Sequence, residues 1–184
     1  ALALLLFFAW EADQPAAQQV KGVDPPVLHV TVGEAAVYES KGIDNWRSGS
    51  SWLTGDRAAL EDLADFLEEW FSEGPTVQVQ TSGSTGTPKV MQVEKVRMEA
   101  SARMTCSFLG LKAGDRALLC MPLKYIGAKM VVVRSIVWGL DLYCVSASSH
   151  PLRELGFAPD FLAMTPAQVY SSLESEDEAA LLEA

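Results

Sequence analysis

Nine consecutive positions hold the residues best suited to chemistry: Thr81-Ser82-Gly83-Ser84-Thr85-Gly86-Thr87-Pro88-Lys89. Glycines let a backbone turn tightly and approach a ligand closely. Successive backbone N–H groups in such a turn form a concavity that binds anions. Ser82, Ser84, Thr85 and Thr87 add hydroxyl donors, and Lys89 adds a compact charge suited to a polyphosphate. The chemistry is that of a phosphate cradle. Two familiar nucleotide loops are excluded. The Walker pattern needs four residues between its glycines and a Ser or Thr after its lysine, whereas here two residues separate Gly83 from Gly86, and Val90 follows Lys89. The dinucleotide pattern fails because no glycine lies two positions before or after Gly83.

A cradle needs a strand to launch it and helices to back it. Thr76 to Gln80, β-branched and alternating, reads as that strand, and Val90 to Val93 as a short strand beyond the loop. Upstream, Asp56 to Phe71 has Leu60, Leu63, Ala64, Leu67, Trp70 and Phe71 at helical spacing, with Glu61, Asp62, Asp65, Glu68 and Glu69 on a solvated opposite face. Gly74-Pro75 stops it. Downstream, Glu94 to Leu109 reads as a helix with Val96, Ala100, Met104 and Phe108 as its apolar stripe. Strands follow at Ala117 to Met121, Leu142 to Val145 and Phe161 to Met164. An apolar helix at Tyr125 to Trp138 and another at Pro166 to Leu173 lie between and after them, and the acidic tail from Glu174 is helix-prone. This order predicts an α/β fold, layered, with a largely parallel sheet and flanking helices. Residues 1–75 form an N-terminal segment and 76–184 the phosphate-loop portion of the same domain. In the first part, Val27 to Val32 reads as a strand, and Asp44 to Gly55, with Trp46 and Trp52, as a surface loop or a set of core anchors.

The 184 residues are enough for one sizeable core, and 49% of them are hydrophobic. A net charge of −10 argues against nucleic acid as a partner. The ten apolar residues from Ala1 to Trp10 are too few to span a bilayer, and no membrane partner is expected. Cys106, Cys120 and Cys144 form no C-x-x-C pair, and His29 and His150 are the only histidines. No protein metal site is expected, and the cysteines read as small buried hydrophobes of a reduced, cytoplasmic compartment.

The loop resembles the signature of the adenylate-forming superfamily: acyl-CoA and aryl-CoA ligases, luciferases and peptide-synthetase adenylation domains. Their Ser/Thr/Gly-rich loop ends Gly-x-Pro-Lys-Gly, and every element is present except the last glycine, which is Val90. The family follows its loop with a helix and then a strand ending in Pro-Leu-aromatic-His. Here the sequence is Met121-Pro122-Leu123-Lys124-Tyr125-Ile126-Gly127, with Tyr125 where His is usual. Together with Ala128 to Arg134 and Ala163-Met164-Thr165-Pro166-Ala167-Gln168-Val169, this is similar to the o-succinylbenzoate–CoA ligases of menaquinone biosynthesis.

The resemblance implies ATP-dependent activation of a small-molecule carboxylic acid and transfer of the acyl group to CoA, with Mg²⁺ on the phosphates. Thr81 to Thr87 would hold ATP, and Lys89 would bind it and serve catalysis. Tyr125 is either a wall of the acyl pocket or a half-buried aromatic opening a helix. Lys129 and Arg134, charges on an apolar helix, either meet a substrate carboxylate or snorkel at the sheet edge. Thr165 and Gln168 fall where family members shape the pocket. The family's Tyr-Gly-x-Thr-Glu segment, its ribose-binding Asp and its C-terminal lysine do not occur before Ala184. The expectation is an incomplete large domain, inactive by itself and prone to self-association. The alternatives are an enzyme that loads a carrier protein and a non-catalytic nucleotide-binding relic.

Overall fold

The computed structural model describes residues 29–32, 35–38, 57–80, 90–153 and 155–183. The Thr81–Lys89 loop lies outside the described residues, as do the segment before His29 and the tryptophan-bearing stretch 39–56. Among the described residues the main sheet has five strands: β1 (His29–Val32), β2 (Ala35–Tyr38), β5 (Arg116–Leu119), β6 (Asp141–Cys144) and β7 (Phe161–Leu162). Their order is β2-β1-β6-β5-β7. β1, β6, β5 and β7 run parallel, and β2 is an antiparallel edge.

β5 explains the layering. Its residues from Ala117 to Leu119, and Cys120 after them, are all buried, as a central parallel strand covered on both faces requires. Ala117 and Leu119 join the larger core. Leu118 and Cys120 face a smaller one with Leu152, closed by Leu181 and Leu182. Those two leucines belong to helix α5 (Glu176–Glu183). Over the larger core lie α1 (Arg57–Phe71), α2 (Lys95–Leu109) and α3 (Ile126–Trp138), and α4 (Pro166–Leu173) follows β7. α3 is the central layer, with Ala128, Val131, Val132 and Val133 inaccessible to solvent. It ends at Gly139, where φ is 73° and Leu140 N–H reaches back to the Ser135 carbonyl at 3.1 Å.

β3 (Thr76–Gln80) and β4 (Val90–Glu94) do not extend the main sheet. They form a separate antiparallel hairpin, and Val77, Val79 and Val93 dock it onto the larger core.

Two apolar assignments are corrected. Phe71, read as part of the apolar face of α1, is 55% exposed at the helix end. The stripe Val96, Ala100, Met104 and Phe108 does not face the core. Val96 is 54%, Met104 59% and Phe108 80% exposed. Met98, Ala102, Thr105 and Cys106 are buried in their place. The helix carries two apolar stripes, each with i, i+4 spacing, and helical periodicity alone does not choose between them.

Candidate functional site

The hairpin brings the two ends of the nine-residue loop together, because Gln80 and Val90 are partners in its ladder. The loop's upstream stem is anchored on its other side as well. Gln80 forms an isolated parallel bridge with Tyr125. Two residues earlier, both backbone polar groups of Gln78 are taken by side chains. Its N–H donates to Glu69 Oε1 at 2.7 Å, and its carbonyl accepts from Lys129 Nζ at 2.7 Å. Lys129 Nζ also donates to Glu69 Oε2 at 3.2 Å and sits 4.8 Å from the centroid of the Phe66 ring. Helices α1 and α3 thus each supply one half of an ion pair, and the pair takes the place of a neighbouring strand on that edge.

Tyr125 is the residue before α3, in extended conformation, and the Lys129 N–H donates to its carbonyl at 3.2 Å. Its own N–H closes a turn to the Pro122 carbonyl at 3.1 Å. Lys124 Nζ lies 5.1 Å from the centre of the tyrosine ring. This segment leaves the carboxyl end of β5. Thr165 leaves the carboxyl end of the adjoining strand β7 and caps α4 in a reciprocal box. Its N–H donates to Gln168 Oε1 at 3.0 Å, while the Gln168 N–H donates to the Thr165 hydroxyl at 3.3 Å. Gln168 Nε2 then donates to the carbonyls of Cys120 and Ser148, both at 2.9 Å. Tyr125 and Thr165 therefore sit at the same end of the β5–β7 pair, where open parallel sheets bind ligands.

Lys129 and Arg134 have different surroundings. Lys129 is 9% exposed and held by Glu69 and Gln78. Arg134 lies farther along α3, where one terminal nitrogen donates to the Thr105 hydroxyl at 3.4 Å and the guanidinium sits 5.5 Å from the Phe161 ring centroid. Its Nε has no hydrogen-bond partner, and burial lowers its pKa. Burial also pushes the thiols up, Cys106 to about 11 and Cys120 and Cys144 to about 12, so all three stay protonated and weakly nucleophilic. The sequence shows Glu69 only as part of a solvated face. The signal that could have found its role was Lys129, since a charge on an apolar helix calls for a counterion. Glu178 is a second such case. It is 1% exposed, with its carboxylate 2.8 Å from His150 Nδ1 and accepting from the Ser172 hydroxyl at 2.8 Å. Among the described residues no three His, Cys, Asp or Glu side chains could jointly hold a metal, and no helix is long and apolar enough to cross a membrane.

No family profile matches the chain. Curated relatives do. It is 34% identical over 82 residues to the 2-succinylbenzoate–CoA ligase of Bacillus mycoides (strain KBAB4), which is 44% of this chain and 17% of that protein. It is 29% identical over 117 residues to the enzyme of the same name from Listeria monocytogenes serotype 4b (strain F2365), covering 64% of this chain and 24% of that one. The chain therefore spans less than a quarter of these two curated relatives. Among solved structures, an acyl-CoA synthetase (AMP-forming)/AMP-acid ligase II-like protein from Dyadobacter fermentans superposes with a TM-score of 0.61 at 35% identity, over 67% of this chain and 36% of that one. Sequence and fold agree: the chain is similar to AMP-forming acyl-CoA synthetases, and it resembles the 2-succinylbenzoate–CoA ligases among them.

Proposed function

We propose that this chain supplies the phosphate-binding part of an enzyme that activates a carboxylic acid with ATP and passes the acyl group to CoA, with an o-succinylbenzoate-like aryl acid as the substrate class. In the first step a carboxylate oxygen attacks the α-phosphate, and pyrophosphate departs. In the second the CoA thiol adds to the acyl carbon, loses its proton, and AMP leaves. Catalysis of the first step is mostly positioning and stabilisation of charge. Backbone N–H groups and hydroxyls of Thr81 to Thr87 cradle the phosphates, and Lys89 offsets the charge that gathers on departing pyrophosphate. Mg²⁺ bound together with ATP would supply neutralisation of the phosphate charge. Tyr125 and Thr165 are assigned to the walls of the acyl pocket.

The observation that supports this reading is the Gln80–Tyr125 bridge, which joins the stem of the loop to the segment proposed as the pocket wall. Adenylation needs the acid's carboxylate and the α-phosphate to meet, so the two binding regions must adjoin. The test is calorimetric titration of the purified chain with ATP and Mg²⁺, wild type against Lys89→Ala. Removal of the lysine is expected to weaken binding by about tenfold or more, the scale of one charge–phosphate contact. Equal affinities in the two proteins would sink the assignment of Lys89. Extension of the titration to pyrophosphate release with a panel of aryl and acyl acids, on a protein of the relatives' full length, tests the reaction itself.

A further inference from the structure

We propose that Glu69 and Lys129 are positioning residues for the phosphate loop, holding its upstream stem in register with the start of α3 from beneath, without touching substrate. This rests on the reading of Thr81 to Lys89 as the ATP cradle. Three features carry it. First, the pair acts on Gln78, two residues from the end of the strand that launches the loop, and it takes both backbone polar groups of that residue. Second, Lys129 is in the first turn of α3, and its N–H bonds the carbonyl of Tyr125, which is itself bridged to Gln80. Lys129 and Tyr125 thus fasten alternate residues of one strand edge. Third, the geometry is specific. Glu69 presents one oxygen to the Gln78 N–H and the other to the lysine, whose ammonium also reaches the Gln78 carbonyl, so the three groups close a ring.

A hydrophobic pair could hold the helices together equally well, but it could not satisfy an N–H and a C=O on the same edge residue. Without the pair those groups lose their side-chain partners, and of the two fastenings along this edge only the Gln80–Tyr125 bridge remains. A displacement of the order of 1 Å costs a catalysed step roughly a hundredfold where precise placement matters, and the loss in ATP affinity is expected to be smaller.

The test uses ATP–Mg²⁺ titration and thermal melts of four variants beside wild type and Lys89→Ala. Lys129→Met keeps an unbranched apolar stem, one atom shorter, and removes the donors. Glu69→Gln keeps an acceptor for the Gln78 N–H and loses the ion pair. Lys129→Arg restores charge and donors. Leu152→Ala lies in the smaller core on the far face of the sheet and lowers stability without touching the hairpin. Lys129→Met and Glu69→Gln are expected to weaken ATP binding by roughly tenfold at temperatures where the melts show them folded. Lys129→Arg is expected to recover part of the affinity that Lys129→Met loses, since it keeps charge and donors in a bulkier head, and Leu152→Ala to melt lower yet bind like wild type. The proposal is overturned if folded Lys129→Met binds ATP as wild type does, or if Leu152→Ala weakens binding equally. Sensitivity to Lys89→Ala with no sensitivity to Lys129→Met removes the positioning role and leaves the cradle intact. Absence of ATP binding by wild type overturns both.

Discussion

Gln168 shows how completely a single side chain can be used. It is 7% exposed, and both ends of its amide are engaged, the oxygen by Thr165 and the nitrogen by two carbonyls at the carboxyl ends of β5 and the segment after β6. Gln168→Leu fits the space but strands those carbonyls and the Thr165 N–H. The expected cost is about 1–3 kcal/mol, the penalty for an unsatisfied buried group. The midpoint of urea unfolding should fall accordingly, and an unchanged midpoint would mean that water replaces the amide without loss. Lys129 and Arg134 make a related point. Both are cations on an apolar helix, and the sequence treats them alike. Lys129 finds a carboxylate and a carbonyl, whereas Arg134 has a hydroxyl and an aromatic face. The difference is decided by which neighbouring helix each one faces, which is tertiary information.

At the level of elements, the β5–β7 pair is clasped at its start by Asp160. Its carboxylate accepts the Arg116 N–H at 2.8 Å and the Arg116 Nε at 3.2 Å, while Arg116 also covers the Phe157 ring at 4.8 Å. Acceptance from the Arg116 backbone N–H, followed by the bond and attraction of its guanidinium, holds the Asp160 pKa below the ordinary carboxylate range. A depressed pKa contributes stability above the unfolded value of about 3.9 and loses it as pH falls through the folded value. Both side chains are well exposed, so the effect is small. Asp160→Asn should therefore melt slightly below wild type at pH 7. The two melting curves should converge as the pH drops below about 4, and a gap that persists in acid would contradict this.

The elements themselves were largely legible. Phe71 ends α1, Thr76–Gln80 is β3, and Pro166–Leu173 is α4, all as periodicity and Gly/Pro punctuation predict. The facing of α2 was not legible, because a helix with two apolar stripes is ambiguous until its neighbours are known. Nor was the hairpin apparent, since two short strands flanking a loop read equally as successive members of one sheet. Of the site, the residue types of the loop were plain from sequence. The Glu69–Gln78–Lys129 ring was not, because it joins positions nine and fifty-one residues apart.

For the molecule as a whole, the outer stripe of α2 matters most. Val96, Met104 and Phe108 lie on it, flanked by exposed Arg97 and Arg103, on a chain whose net charge is −10. A helix apolar on two faces is ordinarily buried between layers. We expect the isolated chain to self-associate through this face, because contiguous exposed apolar surface is an association liability. Phe108→Glu should shift the sedimentation profile toward monomer without lowering the melting temperature, as the side chain contributes little to the core. A wild-type chain that sediments as a single monomeric species at high concentration would remove the premise. The sealed edge of β3 has a consequence for transplantation. Residues 76–94 are one contiguous stretch of sequence that holds β3, the proposed cradle and β4. Yet the groups that finish its outer edge come from α1 and α3, outside that piece. A chimera that moves the hairpin alone into another scaffold carries its sequence but leaves its sockets behind, so Glu69, Lys129 and the Tyr125 turn must travel with it.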